Sequence, residues 1–149
     1  MNAERFSLDS NVFFYAIDRT VPRRHRQAVE LVERAARELD CIVPLQVFCE
    51  FFAAATRKGA MPAGEAAAQV ADWQTLFTTA YPGPTSLPRA LEAVLRHSLS
   101  LWDALLWSVA REAGVTVLLS EDLQDGRELG GVTFRDPFSG GDPFRAKGS

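Results

Sequence analysis

The fold is decided by the segment Phe6-Ser7-Leu8-Asp9-Ser10-Asn11, in which a short apolar strand runs straight into an acid and then into a turn or helix start. The clearest strand in the sequence, residues 115–119, is likewise followed closely by an acid, Asp122. In an open parallel sheet, ligands bind outside the carboxyl ends of the strands. The two segments therefore predict a parallel sheet with acidic side chains at its carboxyl edge.

Strands and helices alternate along the whole chain. Apolar spacing predicts helices over residues 12–17, 25–39, 45–57, 62–77, 87–97 and 101–113, and short strands over 6–8, 41–43, 78–81, 115–119 and 132–134, with a single turn within 123–128. Alternation of this kind implies a parallel sheet that helices cover on both faces. We therefore expect an α/β protein, a three-layer α/β/α sandwich with a short five-stranded, mainly parallel sheet.

The bulk composition fits one globular domain. A chain of 149 residues has the usual size of a domain, and we assign residues 1–147 to it and 148–149 to a remnant of cloning. No apolar run could span a membrane, no secretion signal is recognisable and two cysteines make no disulfide framework, so we expect a cytoplasmic protein. The net charge of −3 argues against a protein that coats nucleic acid, but not against an enzyme that acts on RNA.

Four acids are predicted to converge on the carboxyl edge of the sheet: Asp9, Glu50, Asp103 and Asp122. Two of them follow strands, while Glu50 and Asp103 lie in helical segments whose neighbours are almost all apolar, so that both helices are expected to be buried. A buried carboxylate is costly unless it is paired, hydrogen-bonded or bound to metal, and clustered carboxylates repel one another unless a cation neutralises them. Hard oxygen ligands without clustered His or Cys favour Mg²⁺ or Mn²⁺.

Each acid also has a purely structural explanation. Asp9 could cap the first helix, and Asp103 could close a capping box. Glu50 could pair with Gln46 one helical turn away, and Asp122 could be a turn residue. Taken singly, each acid could therefore have either a purely structural role or a role in a metal site.

The opening segment, Phe6-Ser7-Leu8-Asp9-Ser10-Asn11-Val12, resembles the first strand of PIN-domain ribonucleases, an apolar strand that ends in Asp-Ser/Thr-Asn. The helix with Glu50, the segment Trp102-Asp103-Ala104 and the strand ending Leu118-Leu119-Ser120-Glu121-Asp122 match the remaining acidic positions of that family in order. The resemblance covers essentially the whole chain. Within the family, the chain is most similar to the VapC-type toxins of prokaryotic toxin–antitoxin pairs.

The resemblance implies a metal-dependent endoribonuclease. The four acids would bind one or two Mg²⁺ or Mn²⁺ ions, and water would attack an RNA phosphodiester, leaving 5′-phosphate and 3′-hydroxyl ends. Glu121 or Asp125 could share the role of Asp122. The residues that could orient the carboxylates or the phosphate are Ser10, Asn11, Ser120, Glu121 and Asp125.

The resemblance also implies partners besides RNA. A VapC-type toxin would have a cognate antitoxin encoded nearby, and we expect a homodimer. The apolar helices 45–57 and 62–77 could supply the dimer face or the groove for the antitoxin. A basic cluster could bind RNA phosphate or an acidic partner, or be merely solvated. It comprises Arg19, Arg23, Arg24 and Arg26.

Other functions remain open or fit poorly. A housekeeping PIN nuclease for RNA processing or quality control is the nearest alternative, followed by a non-catalytic PIN-like binding module, which would be expected to have lost one or more acids. A phosphorelay receiver would need paired acids after the first strand and a Lys late in the sheet. A haloacid-dehalogenase-like phosphatase would need a second Asp where Asn11 stands.

Overall fold

The computed structural model describes residues 3–145, so the assignment of residues 148–149 lies outside the described part of the chain. The strands are β1 (Phe6–Leu8), β2 (Ile42–Pro44), β3 (Thr78–Ala80), β4 (Val117–Leu119), β5 (Glu128–Leu129) and β6 (Val132–Arg135). The helices are α1 (Ser10–Tyr15), α2 (Pro22–Glu38), α3 (Leu45–Arg57), α4 (Ala63–Leu76), α5 (Ser86–His97) and α6 (Leu101–Glu112). Every predicted helix and strand is present.

The sheet is built around β1 and β4, which lie side by side and parallel. Strand β4 pairs in parallel with β6, and β5 adds an antiparallel edge, giving the order β1-β4-β6-β5. Strands β2 and β3 form a separate parallel pair. A single bridge between Phe6 and Cys41 joins this pair to β1. The mainly parallel sheet is confirmed, but the continuous five-stranded sheet is wrong in detail, because three-residue strands β1 and β2 meet at only one position.

Helices cover both faces of the central strands. Successive side chains of a strand point to opposite faces, and all three residues of β1 and of β4 are buried. The three-layer sandwich is thereby confirmed. Helix α1 contacts α2 and α3, whereas α5 packs against α6. Within residues 3–145, no helix has both the length and the apolar character that crossing a bilayer requires.

The turn expected within residues 123–128 is present at residues 125–126, and a β5–β6 hairpin that was not predicted follows it. Gly130 and Gly131 connect the strands with φ values of 56° and 87°, the positive values that a tight two-residue hairpin requires. A Gly-Gly pair between two short strands is the signal that predicts such a hairpin.

Helix α2 begins at Pro22 rather than at residue 25. Proline is favoured in the first turn of a helix because its missing N–H would have no partner there. The earlier start places Arg23 and Arg24 inside the helix.

Helices α3 and α6 are not buried on all sides, contrary to the prediction. Cys49 and Phe52 are exposed on α3, and Leu101 and Trp102 are exposed at the start of α6, Trp102 by 61%. A helix that packs on one side of a sheet buries only one of its faces. The apolar residues on the other face of each helix are therefore exposed at the protein surface.

Candidate active site

Asp9 lies at the junction of β1 and α1 and is only 3% exposed. Its Oδ1 accepts a hydrogen bond from the backbone N–H of Ser10 at 2.7 Å, so Asp9 does cap helix α1. Its Oδ2 accepts a second hydrogen bond, also of 2.7 Å, from the hydroxyl of Ser120. Capping therefore accounts for one carboxylate oxygen, while the other is bound to the segment that follows β4.

Ser120 joins the acids that follow the two central strands. Because β1 and β4 are parallel neighbours, the residues after them leave the sheet at the same edge. The Ser120 hydroxyl accepts the backbone N–H of Asp122 at 3.1 Å. The side-chain amide of Asn11 in turn donates to Asp122 Oδ2 at 3.0 Å. A continuous hydrogen-bond chain thus runs from Asp9 through Ser120 and Asp122 to Asn11.

The other two acids are held by the starts of α3 and α6. Gln46 Nε2 donates to Glu50 Oε1 and to the carbonyl oxygen of Trp102, both at 2.9 Å. The predicted pairing of Gln46 with Glu50 is confirmed, and the same amide also ties α3 to α6. Asp103 lies in the first turn of α6, where its backbone N–H donates to the Ser100 hydroxyl at 3.2 Å.

Mutual repulsion shows that the four acids are close enough to influence one another. The pKa of Asp9 is raised from 3.8 to about 6, mainly by burial and then by the negative charges of Asp122 and Asp103, against the hydrogen bonds of its own two oxygens. Burial raises the pKa of Glu50, and the charges of Asp9, Asp103 and Asp122 add to the effect. Burial and the charge of Asp122 also raise the pKa of Asp103. The acids that are scattered through the sequence therefore form one electrostatic cluster.

Glu121 has both carboxylate oxygens engaged away from this cluster. The phenol of Tyr15 donates to Oε1 at 2.7 Å, and Arg24 forms an ion pair with Oε2. The Arg24 guanidinium also lies over the rings of Tyr15 and Phe138, 5.2 and 4.5 Å from their centroids. We call Tyr15, Arg24, Glu121 and Phe138 the Arg24 clamp. Because this clamp occupies Glu121, the geometry favours Asp122 as the fourth member of the acidic cluster.

Two further residues that the sequence suggested for the site, Asp125 and Arg24, also have partners outside the acidic cluster. Asp125 Oδ1 accepts the backbone N–H of Asp136 at 2.9 Å and so holds the segment after β6. Arg24, from the basic cluster, is bound to a carboxylate 97 residues away. The sequence offers no signal for the partner of this arginine, since the contact arises only in the folded chain.

A cleft of about 550 Å³ opens beside the acidic cluster. Its lining includes Ser10, Asn11 and Asp122 from the site and Lys58 from the end of α3. The Lys58 ammonium lies 4.6 Å from the centroid of the Phe14 ring. We call the cleft of about 550 Å³ the Lys58 cleft. Lys58 was not predicted as a site residue, because a single lysine after a helix belongs to no motif.

The donor atoms around the acids suit a hard divalent cation. Among the described residues, Asn11 Oδ1 and Gln46 Oε1 are buried without a hydrogen-bond partner, although both side chains hold acids of the cluster. An unpaired buried acceptor is unfavourable, and amide and carboxylate oxygens are ligands that Mg²⁺ and Mn²⁺ accept. Within residues 3–145, no group of three or more His, Cys, Asp or Glu side chains is arranged so that together they could hold a metal ion. Mg²⁺ is commonly bound by only one or two carboxylates and several waters, so the residues present fit it.

A model of the PIN-domain family matches residues 7–124. This chain belongs to the PIN-domain family. The matched part of the PIN domain begins within β1 and ends just after Asp122, so it includes all four acids of the cluster. The predicted family is confirmed. Among proteins of curated function, none matches the chain significantly.

Solved structures with the same fold include VapC toxins and VapBC assemblies. VapC20 of Mycobacterium tuberculosis, described as a sarcin-ricin loop cleaving toxin, is 19% identical over 76% of this chain and 86% of its own, with a TM-score of 0.61. VapBC2 of Rickettsia felis, solved bound to a DNA fragment from their promoter, is 11% identical over 87% of this chain and 96% of its own, with a TM-score of 0.63. VapBC-1 of nontypeable Haemophilus influenzae is 12% identical over 89% of this chain and 97% of its own, with a TM-score of 0.63. The predicted similarity to VapC-type proteins is confirmed at the level of the fold.

Proposed function

We propose that this PIN domain is a metal-dependent endoribonuclease and the toxin of a type II toxin–antitoxin pair. The observation that carries the proposal is the cluster of four acids around the buried Asp9, two of them joined through Ser120. Membership of the PIN family and the fold shared with VapC proteins support the same conclusion. Acidic clusters of this kind serve hydrolysis of phosphodiester bonds because they recruit divalent cations.

Asp9 and Asp103 would hold Mg²⁺ or Mn²⁺ most directly, and Glu50 and Asp122 would complete the set or act through water. When bound, the cation supplies activation of water and neutralises charge on the attacking and leaving oxygens of the phosphodiester. Ser120 and Asn11 keep the carboxylates of Asp9 and Asp122 in fixed positions through the hydrogen bonds described above. Burial is the main cause of the raised Asp9 pKa, and the negative charges of Asp122 and Asp103, which add to it, would be offset by a bound cation.

The proposed partners are RNA as substrate, an antitoxin and a second copy of the chain, all in the cytoplasm. The R. felis and H. influenzae structures are VapBC assemblies, which supports an antitoxin partner for this chain. For the described residues, the large exposed apolar side chains lie mainly on α5 and at the start of α6 rather than on α3 and α4. On these two helices they are Leu87, Leu91, Leu95, Leu101 and Trp102. These surfaces are our candidates for protein contacts.

The decisive experiment measures RNA cleavage by the purified protein. We expect cleavage with Mg²⁺ or Mn²⁺ and none in EDTA, and we expect Asp9→Asn or Asp103→Asn to abolish it. Asp72→Asn is the matched control, because Asp72 is exposed on α4 and belongs to no part of the cluster. Cleavage in EDTA, or full activity in both site variants, contradicts the proposal.

The toxin role needs a separate test in cells. Expression should arrest growth, and co-expression of the adjacent upstream reading frame should relieve the arrest. Metal-dependent cleavage without growth arrest would favour a housekeeping nuclease instead. RNA binding without cleavage under any metal would favour a non-catalytic module.

A further inference from the structure

We propose that the Lys58 cleft binds the RNA strand beside the bond to be cut, with the Lys58 ammonium contacting a backbone phosphate. The inference rests on the proposed function, whose substrate it places. It follows from the position of the Lys58 ammonium, which has no acidic partner among the described residues and lies in the same cleft as Asn11 and Asp122.

Unlike Arg24, Lys58 has no carboxylate partner among the described residues. Within residues 3–145, no acidic side chain lies within 4.0 Å of the Lys58 ammonium, whereas Arg24 is paired with Glu121. In the part of the chain that the structure describes, Lys58 is also the only basic residue in the lining of the cleft. An ammonium on a flexible stem is a point charge that suits a phosphate oxygen. The charge is therefore available to a ligand that enters the cleft.

The end of α3 fixes where this charge lies. Lys58 is the C-cap of the helix, and Gly59 follows it with a φ of 68°. Glycine takes up such a positive φ readily and stops the helix there. The Lys58 side chain then extends over Phe14 of α1, the helix that also carries Asn11. The position of Lys58 relative to the acidic cluster is thus set by two helices of the fold.

The negative charges in the lining do not close the cleft to RNA. Glu121 is neutralised by Arg24, and Asp122 belongs to the acidic cluster itself. Asp18 accepts the backbone N–H of Thr20 at 3.1 Å. The volume of about 550 Å³ lies inside the range of about 300–1,000 Å³ that is usual for ligand sites. The cleft can therefore hold part of a single strand next to the acids.

The test is the salt dependence of RNA binding by the full chain. A fluorescein-labelled single-stranded RNA of about ten nucleotides, a length within the range of known single-strand sites, is titrated with wild-type protein, Lys58→Met and Arg57→Met in EDTA, and anisotropy gives the Kd. Arg57→Met is the matched control, since Arg57 is the exposed neighbour that loses the same charge but does not line the cleft. A gel of the same samples records whether the RNA stays intact.

We expect Lys58→Met to weaken binding and to reduce the slope of log affinity against log salt by about 0.7, the value for one phosphate contact on a single strand. Between about 50 and 200 mM salt, the wild-type affinity should then fall about 2.6-fold further than that of Lys58→Met. Arg57→Met should keep the wild-type slope, and Lys58→Arg should restore it.

Equal losses in Lys58→Met and Arg57→Met would overturn the inference, since they would reflect only overall charge. Absence of RNA binding by the wild-type protein would overturn it too. Binding through Lys58 without any cleavage in Mg²⁺ would contradict the proposed function and leave the cleft assignment standing.

Discussion

The hydroxyl of Ser120 donates to Asp9 Oδ2 at 2.7 Å and accepts the backbone N–H of Asp122 at 3.1 Å. Ser120 is fully buried, and Asp9 nearly so. One hydroxyl group therefore sets the relative positions of two acids that follow different strands. Its removal should disturb the acidic cluster without disturbing the core.

Ser120→Ala should reduce cleavage or Mn²⁺ affinity by about 10–100-fold, the usual cost of losing a group that orients a metal-binding carboxylate. The fold should survive, because alanine fills nearly the same space. Cleavage rates and Mn²⁺ titrations followed by thermal unfolding measure both effects. Ser108→Ala is the control, since Ser108 is also buried and its hydroxyl donates to the Ser86 carbonyl on a different part of the fold. Equal behaviour of the two variants would contradict a role for Ser120 in the site.

Asp9→Asn should stabilise the metal-free protein at neutral pH. The pKa of Asp9 is raised from 3.8 to about 6 on folding, so the stability it contributes is fully present below pH 3.8 and is lost as the pH rises through about 6. This lowers the free energy of unfolding by about 3 kcal/mol. Asparagine keeps the shape of the side chain and carries no charge, so the variant should avoid this loss.

Thermal unfolding in EDTA tests this pH dependence of stability. The range from about pH 4 to about pH 7 covers the ordinary pKa of Asp9 and its raised pKa in the folded protein. The Tm difference between Asp9→Asn and the wild type should be small at the acidic end and should grow to several degrees at the neutral end, as about 2–4 °C per kcal/mol is usual for a domain of this size. The exposed control Asp72→Asn should show no such trend. A constant difference across the range would argue against a raised Asp9 pKa.

Divalent cations should raise the Tm of the wild-type protein, because a ligand that binds only the folded state stabilises it. The increase should be larger at about pH 7 than at about pH 5, since binding competes with protonation of Asp9. Differential scanning calorimetry with added Mg²⁺ or Mn²⁺ measures the shift. Asp9→Asn should show little or no increase, and an increase equal to that of the wild type would show that the cation binds elsewhere.

Asp122→Asn and Glu121→Gln should behave differently although the residues are adjacent. Asp122 belongs to the cluster, and its loss should reduce cleavage by about 10–100-fold. Glu121 is occupied by Tyr15 and Arg24, so Glu121→Gln should keep cleavage close to the wild-type rate. Side-by-side kinetics decide the matter, and the reverse ranking would assign the fourth acidic position to Glu121.

Trp102 should contribute to self-association. It is 61% exposed at the start of α6 and borders an apolar pocket of about 220 Å³ that also contains Leu105 and Pro82. Sedimentation equilibrium should show a dimer for the wild type and a shift to monomer for Trp102→Arg. Val21→Arg, at a 53% exposed position just before α2, is the control for adding a charge to an apolar surface, because Val21 lies outside the surfaces proposed for protein contacts. A monomeric wild type, or equal dissociation by both variants, would contradict a dimer face at Trp102.

The features that depend on local pattern could be predicted from the amino-acid sequence. Apolar periodicity predicted every described helix and every described strand except β5, and strand ends placed Asp9 and Asp122 at one edge of the sheet. Contacts between distant residues left no such pattern. The Ser120 bridge joins residues 111 positions apart, and the Arg24 clamp joins residues 97 positions apart. The exposure of Trp102 was also missed, because apolar spacing alone does not tell which face of a helix stays exposed.

The separation between Asp9 and Ser120 has a consequence for how the protein is made. Asp9 leaves the ribosome 111 residues ahead of its hydrogen-bond donor Ser120, which directly follows strand β4. Until β4 has been synthesised and inserted between β1 and β6, the acids cannot assemble. If the site cuts RNA as proposed, the order of the sequence itself shields the ribosome that translates this chain, since the nascent protein cannot form its site before Ser120 has been synthesised.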